Sequence, residues 1–479
     1  MSFPKVRVSE EERKFKSPVV EETVRRVQSS IGNEELAWMF GNCFPNTLDT
    51  TVDFQIVDGR PDTYVITGDI NAMWLRDSTA QVWPYLPFMS EDPQLQHLIA
   101  GVINRQTRCI LLDPYANAFY RNGNETGKWQ DDDTDMRPGV HERKWEIDSL
   151  CYAVRLAYGY WKTIGDESVF SKHWKKAALL IVQTFKKQQR KTGLGPYSFH
   201  RKTDKPEVDT LCNNGTGRPL HPVGLINSSF RPSDDACIYG FLVPANLFAG
   251  VSLRQLAEIS EQVLQDQAFA SECIALADEV DEAVQKYAIV KHQKYGDVYA
   301  YEIDGFGNAV FMDDANIPSL LSLPYLGCVD RSDPVYQNTR RLILSEDNPW
   351  FSRGKVAEGI GGPHVGTDMI WPMSIIMQAL TSTDEQEIRQ CLGFLQNSHA
   401  GTGFMHETFH KDNAEEFTRP WFAWANTLFG ELILKVSSEY SGWDAARFPM
   451  FGNRPSLPSF SLPMFGNHIR KMAQPSGAR

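Results

Sequence analysis

Six times along this chain, a loop rich in Gly, Pro and polar residues ends in an acidic or Arg/Trp cluster and runs into an apolar helical stretch. The stretches are "MWLRDSTAQVWPYL" (73–86), "WEIDSLCYAVRLAYGYW" (145–161), "SDDACIYGFLVPANLFA" (233–249), "MDDANIPSLLSLPYL" (312–326), "TDMIWPMSIIMQAL" (367–380) and "TRPWFAWANTLFGELIL" (418–434). Each is apolar nearly all round, the mark of a helix buried on every face. Between them lie charged, amphipathic stretches such as 92–112, 171–191, 252–288, 335–345 and 384–396, with 19–44 leading. One face of such a helix is apolar and the other wet, so each suits an outer partner to a buried helix. Six inner and six outer helices make an all-α fold, an (α/α)6 toroid. All its inner helices run the same way, so their N-terminal ends gather around one cleft. An Asp or Ser at each inner start is expected to cap free backbone N–H groups and to suit the positive end of the helix dipole. The doublets Asp234–Asp235 and Asp313–Asp314 exceed that need, because a cap uses one carboxylate and a second beside it adds repulsion.

The alternating stretches 62–70 and 296–311 predict short β-hairpins at the cleft rim. The domain reading is a flexible N-terminal segment over 1–18, the toroid over 19–438, and a Pro/Gly/Ser-rich strap or tail over 439–479. A net charge of −12 argues against nucleic acid, which needs basic patches to displace counterions. No apolar run approaches the roughly 18 residues that would cross a bilayer, so no membrane partner is expected. The first residues lack an apolar signal core, which favours a cytoplasmic over a secreted location. The eight cysteines are dispersed without a C-x-x-C pair and read as reduced thiols in the core.

The pentapeptide "HETFH" (406–410) matches the zinc-peptidase signature, in which two histidines on one helical face hold a metal and the glutamate acts as base. That alternative needs a sustained helix. Here Gly401 and Gly403 precede the motif and "KDNAEEFTRP" follows at once, leaving room for barely one turn. A loop suits it better. Glu407 then becomes a carboxylate at the cleft mouth, and Asp234 in "SSFRPSDDACIYG" is its best complement, with Asp235 beside it as the other possibility. Two carboxylates across a sugar-sized cleft are the minimum equipment of a glycosidase. A sugar-binding toroid without activity is a further alternative, against which both carboxylates count. Arg76, Asp77, Asp148, Asp235, Asp314 and His364 would grip hydroxyls, and Trp74, Trp145, Trp371 and Trp421 would stack on a sugar face or form a wall.

The blocks "YVITGDINAMWLRDSTAQVWPYLPF", "INRQTRCILLDPYANAF", "ERKWEIDSLCYAVRLAYGYWK", "FRPSDDACIYGFLVPANLFA", "YAYEIDGFGNAVFMDDANIPSLLSLPYLG" and "GTGFMHETFHKDNAEEFTRPWFAWANTLFGELI" occur in this order between about 42 and 435. Together they resemble glycoside hydrolase family 125. The resemblance implies an exo-acting α-1,6-mannosidase that is inverting, uses no metal or other cofactor, and takes an α-mannoside glycan as partner. It further implies Asp234 as general acid and Glu407 as general base. Arg76, Asp77, Arg231 and Trp421 match positions expected at the mannose subsite, and Trp74, Asp148, Asp235, His364 and His406 complete the expected substrate-binding set.

Overall fold

A computed structural model of the protein describes residues 3–439. Helices Leu75–Val82, Ile147–Ile164, Val243–Gln262, Pro372–Thr381 and Ala423–Glu439 form the inner ring. Neighbours pack side by side: Leu75–Val82 lies between Ile147–Ile164 and Ala423–Glu439, which in turn meets Pro372–Thr381. The contrast between inner and outer helices follows their sequences. Every residue from Ile147 to Tyr160 is buried. The outer helix Lys172–Gln188 buries only Trp174, Ala177, Ala178, Ile181, Val182, Thr184, Phe185 and Gln188, a single stripe at three-to-four-residue spacing.

Two expectations need correction. The fourth inner stretch, 312–326, is built from turns: Pro318 and Pro324 remove backbone donors within it, so a regular helix cannot propagate. The Asp313 carboxylate holds the turns by accepting from the N–H groups of Leu320 (2.8 Å) and Leu321 (2.9 Å). The segment still fills the sixth place in the ring. Tyr152 donates to the Ile317 carbonyl (3.1 Å), and Tyr325 donates to Glu431 (3.0 Å). Secondly, 252–288 is not one outer element. The inner helix continues to Gln262, and a new helix, Gln267–Ala283, starts behind Asp266.

The capping expectation is also reversed. The outer and N-terminal helices take side-chain caps from Ser17, Asn33, Asp92, Ser171, Asp266, Asp333 and Asp384. The inner helices starting at Leu75, Ile147, Val243 and Pro372 have none. Neighbouring rim segments satisfy their starts instead: Leu75 N–H donates to the Asn117 carbonyl (3.1 Å) and Val243 N–H to the Tyr301 carbonyl (2.9 Å). Ile147 N–H donates to the Ser228 hydroxyl (3.2 Å). Acidic side chains in the first turns are thereby left free for other work.

Three small antiparallel sheets sit at these starts. Met73–Trp74 pairs with Ala118–Phe119, which pairs with Val140–Glu142. Phe241–Leu242 pairs with Glu302–Ile303, and Met369–Ile370 with Thr408–His410, which pairs in turn with Asn413–Thr418. Of the rim hairpins expected at 62–70 and 296–311, the second is met by Glu302–Ile303 against Ala309–Val310, beside the start of an inner helix, whereas 62–70 supplies one strand of a hairpin, Arg60–Val65 against Val52–Val57, that packs on the outer helix Pro93–Leu112.

Residues 3–17, read from sequence as flexible, run along the outside of the ring. Arg7 donates to Asp49 (2.6 Å) and is ion-paired with Glu21; Trp38 donates to the Pro4 carbonyl (2.9 Å). The tail expected over 439–479 lies outside the described residues, save Glu439 at the end of the last helix.

Gly430 sets the approach of the last inner helix to Phe44. A Cβ there would lie 2.6 Å from Phe44 Cδ2 and 2.8 Å from its Cα. Replacing a mid-helix glycine by alanine ordinarily stabilises by roughly 0.5–1 kcal/mol. Overpacking costs about 1–3 kcal/mol, and backbone atoms cannot rotate away. Gly430→Ala is therefore expected to destabilise on balance by about 1 kcal/mol, read as a lower urea midpoint at unchanged m.

Candidate active site

The starts of the inner helices and the rim sheets surround a cavity of about 710 Å³. Its wall includes Trp74, Arg76, Asp77, Asp234, Asp235, His364, Trp371, Glu407 and Arg419.

One side is organised around Arg76, which is 3% exposed. Its guanidinium meets Glu146 (2.6 Å), Asp148 (3.3 Å), Asp234 (3.1 Å) and Asp77 (3.5 Å). Asn117 Nδ2 reaches Glu142 (3.0 Å), Glu146 (3.3 Å) and Asp234 (3.2 Å). Asp234 sits in a tight loop with φ +67°, a left-handed conformation that Asp tolerates better than most residues. The loop is closed by Arg231 N–H on the Asp235 carbonyl (2.7 Å) and by Lys144 Nζ on the Asp234 carbonyl (2.7 Å). That turn sends the two side chains of the doublet to different partners. The side chain of Asp234 is 23% exposed and directed at Arg76 and Asn117. The Asp235 side chain is 3% exposed, lies 3.0 Å from His364 Nδ1, and keeps its other oxygen without a partner among the described residues.

Charge crowding sets the proton affinities here. Burial raises Glu146 well above the usual carboxylate range, against the pull of Arg76. Burial also raises Asp148, to about 6, and raises Asp77. Asp234 is likewise penalised by burial, but Arg76, a hydrogen bond from Glu146, Lys144 and His364 together draw it downward. For His364, burial lowers the affinity, yet the hydrogen bond and charge of Asp235, with Glu407 and Asp234 nearby, push it up to about 9.

The other side carries Glu407. Thr418 Oγ1 donates to its Oε2 (2.9 Å) and Arg419 to its Oε1 (3.2 Å). Arg419 also clasps Asp69 through Nε (2.9 Å) and a terminal nitrogen (2.6 Å), tying the base of the first inner helix to the last rim sheet.

The HETFH stretch is not helical. Residues 408–410 form a strand. His406 stacks on Phe417 at 3.7 Å, bonds Thr402 Oγ1 through Nε2 (3.0 Å), and is pushed by burial down to about 4, so it is neutral. His410 Nδ1 instead accepts from the Asp412 N–H (3.2 Å). Among the described residues, no group of three or more His, Cys, Asp or Glu is placed to hold a metal ion. The zinc-peptidase alternative fails on this geometry.

Of the residues singled out by sequence, Trp74, Arg76, Asp77, Asp234, Asp235, His364, Trp371 and Glu407 meet at the cavity. Asp148, Arg231, Asp314, His406, Trp145 and Trp421 do not line it. Asp148 is buried behind Arg76. Arg231 is locked to Glu302 (2.6 Å), whose other oxygen accepts from the N–H groups of Ile238 and Tyr239. Asp314 accepts from Ser233 and Asn316, and Trp145 donates to the Asn227 carbonyl from within the core. Trp421 contributes its carbonyl to the Asp69 N–H (3.2 Å). Glu146, Asn117, Lys144, Asp69 and Arg419 were not anticipated. Glu146 stands two residues before Asp148 at the same helix start, so the argument applied to the Asp doublets would have found it.

A family profile described as metal-independent α-mannosidase (GH125) matches residues 33–434. The meiotically up-regulated gene 157 protein of Schizosaccharomyces pombe is 45% identical over 445 residues, covering 88% of this chain and 86% of the relative. A Streptococcus pneumoniae structure, described as a metal-independent α-mannosidase in a non-productive complex with α-1,6-mannobiose, superposes with TM-score 0.84. It is 42% identical, covering 88% of this chain and 99% of that one. The glucoamylase of Saccharomycopsis fibuligera, 11% identical with TM-score 0.50 over 89% and 97% of the two chains, shares the fold alone.

Because Asp235 raises His364, Asp235→Asn should return the imidazole to its ordinary range or below it, as burial then acts unopposed by a bonded carboxylate. In the wild type, ¹⁵N NMR should follow His364 losing its proton near pH 9. An unchanged titration in the variant would show that Asp235 does not hold the charge.

Proposed function

This chain belongs to glycoside hydrolase family 125, the metal-independent α-mannosidases, and from that premise we propose that it removes terminal α-1,6-linked mannose by single displacement between Asp234 and Glu407. The linkage is supported by the Streptococcus pneumoniae relative, which was captured in a non-productive complex with α-1,6-mannobiose.

The observation that carries the assignment of roles is the contrast between the two carboxyls on one cavity. Asp234 shares the single Arg76 guanidinium with Glu146, Asp148 and Asp77, an arrangement that favours a proton among these carboxyls. That is the environment of a proton donor. Glu407 accepts from a hydroxyl and a guanidinium, one on each oxygen, and keeps no carboxyl neighbour of that kind. That is the environment of an acceptor. In the reaction, Asp234 gives its proton to the glycosidic oxygen as the bond to the anomeric carbon breaks. Glu407 takes a proton from water while the water oxygen bonds that carbon from the opposite face. Mannose leaves with inverted configuration.

Binding draws on polar atoms that have no protein partner among the described residues: Trp74 Nε1, Trp371 Nε1 and Asp235 Oδ2, all on residues of the cavity wall. Two indole donors and a carboxylate acceptor suit a ligand with several hydroxyls, each able to donate and accept. Asp77, held by Thr67 Oγ1 (2.6 Å), adds a further acceptor.

Asp234→Asn and Glu407→Gln are each expected to lower kcat/KM on α-1,6-mannobiose by on the order of 10³-fold or more with the fold intact. Near-normal activity in either variant would overturn the assignment. ¹H NMR of the first product should show β-mannose; α-mannose would rule out single displacement. Activity should be the same before and after exhaustive chelation, and a loss restored by a divalent ion would contradict the mechanism.

A further inference from the structure

Glu146 does not line the cavity and has no role assigned so far, yet it shares its donors with the proposed acid. It is 1% exposed. Three donors converge on it: Arg76 (2.6 Å) and Ser149 Oγ (2.9 Å) on Oε2, and Asn117 Nδ2 (3.3 Å) on Oε1. Two of these donors also hold the Asp234 carboxyl: Arg76 reaches it through its other terminal nitrogen (3.1 Å) and Asn117 Nδ2 at 3.2 Å, so the two carboxyls stand side by side on one guanidinium and one amide. Two carboxyls held on the same donors repel each other when both are ionised, and one proton between them removes that cost.

The surrounding charges favour the same count. Around Glu146 stand Arg76 and Asp77 from the first inner helix, Asp148 from its own helix, Asp234 from the opposite loop, and Glu142 across Asn117. Lys144 is engaged by Asp209 (2.8 Å) and the Asp234 carbonyl, Tyr197 by the Arg143 carbonyl and Trp145 N–H, and His364 by Asp235. One guanidinium facing four carboxyls cannot keep all of them ionised in a buried site. Glu146 has no exposure of its own, whereas Asp234 opens on the cavity. A proton leaving Glu146 toward the cavity passes through Asp234.

We propose that Glu146 is the positioning partner of the general acid: the Glu146 and Asp234 carboxyls hold one proton between them, and Glu146 delivers it to Asp234 when the glycosidic oxygen docks. The proposal rests on the reading of Asp234 as acid. At rest the proton lies nearer Glu146. On docking, Glu146–COOH passes its proton to the Asp234 carboxylate, and Asp234–COOH passes one to the glycosidic oxygen as its bond to carbon breaks. The pair is left with two carboxylates, and the proton that Glu407 took from water is lost to solvent. One solvent proton, entering through Asp234, restores the pair. No proton or electron pair is unaccounted for.

The test compares Glu146→Gln with wild type on two substrates. Glutamine can still accept from Arg76 but cannot supply a proton, and Asp234 keeps Arg76 and Lys144 without its acidic neighbour. With α-1,6-mannobiose, kcat/KM should fall by on the order of 10²-fold at neutral pH. The alkaline limb of its pH profile should move to lower pH by about one unit or more. With 2,4-dinitrophenyl α-mannoside, whose phenolate leaves without protonation, the loss should stay below about tenfold. Equal losses on both substrates with the limb in place would make Glu146 a structural residue and overturn the proposal. Asp234→Asn separates the two readings: activity retained on mannobiose sinks the acid assignment itself, whereas an inactive Asp234→Asn beside equal losses in Glu146→Gln sinks only the role of Glu146. Should Glu146→Gln not fold, infrared difference spectra of wild type carrying ¹³C-labelled glutamate decide. A protonated glutamic carboxyl band that disappears with the alkaline loss of activity is expected, and its absence at the pH optimum overturns the proposal.

Discussion

The Arg76 guanidinium is the contact on which the rest of the site depends. It projects from the first inner helix and touches carboxyls from that helix, from the start of the second and from the loop before the third. One buried cation thus sets the spacing of three consecutive units of the ring. Its burial is tolerable only because charged partners surround it, and removing one member of such a set typically costs about 3–5 kcal/mol by leaving the others uncompensated. The same excess of carboxyl over cation favours a proton beside the cavity. Structure and chemistry are supplied by one arrangement.

Why the chemistry lies at this end of the ring follows from how the inner helices begin. Outer helices close their own first turns with Ser, Asn or Asp, as exposed helices do. Inner helices hand that task to the neighbouring rim segments, through the Asn117 and Tyr301 carbonyls and the Ser228 hydroxyl. Asp77 and Asp148 are consequently not spent on caps. Their negative charges still gain from the positive helix ends, which lessens the penalty of gathering so many acids in one place.

The ring itself was legible because burial on all faces and burial on one face leave different patterns in a sequence. The all-apolar 147–160 and the striped 172–188 could not be confused. The turn-built stretch at 312–326 was misread because its apolar composition is that of an inner helix, and the two prolines that break it count for little in a pattern of hydrophobicity. Asp234 and Glu407 were visible as carboxyls without a local use. Arg231 and Trp421 were visible too, but only the folded loop shows that Arg231 serves Glu302 and that Trp421 supplies a carbonyl. Glu146, Asn117 and Arg419 act through partners far away in sequence: 158 residues separate Arg76 from Asp234, and 350 separate Arg419 from Asp69. No local pattern carries such pairings.

The pentapeptide that suggests a metal shows how a motif loses its meaning with its backbone. On a helix, His406 and His410 would share a face and Glu407 would stand over a metal. Here both residues lie in irregular backbone just before the strand Thr408–His410, and His406 and Glu407 part company. His406 goes into the wall against Phe417, neutral and bonded to Thr402, and Glu407 turns to the cavity. Gly401 and Gly403, both at positive φ, prevent a helix from running into the motif, and the pairing of 408–410 with 413–418 fixes the extended form. Glu407 is read as a base in either setting; what changes is the surrounding, here a cavity of about 710 Å³ lined by indoles and carboxyls. The two halves of the site then differ in kind. The Asp234 half is crowded with carboxyls around one guanidinium, whereas the Glu407 half faces a hydroxyl and a guanidinium, and the proposed division into acid and base rests on that asymmetry.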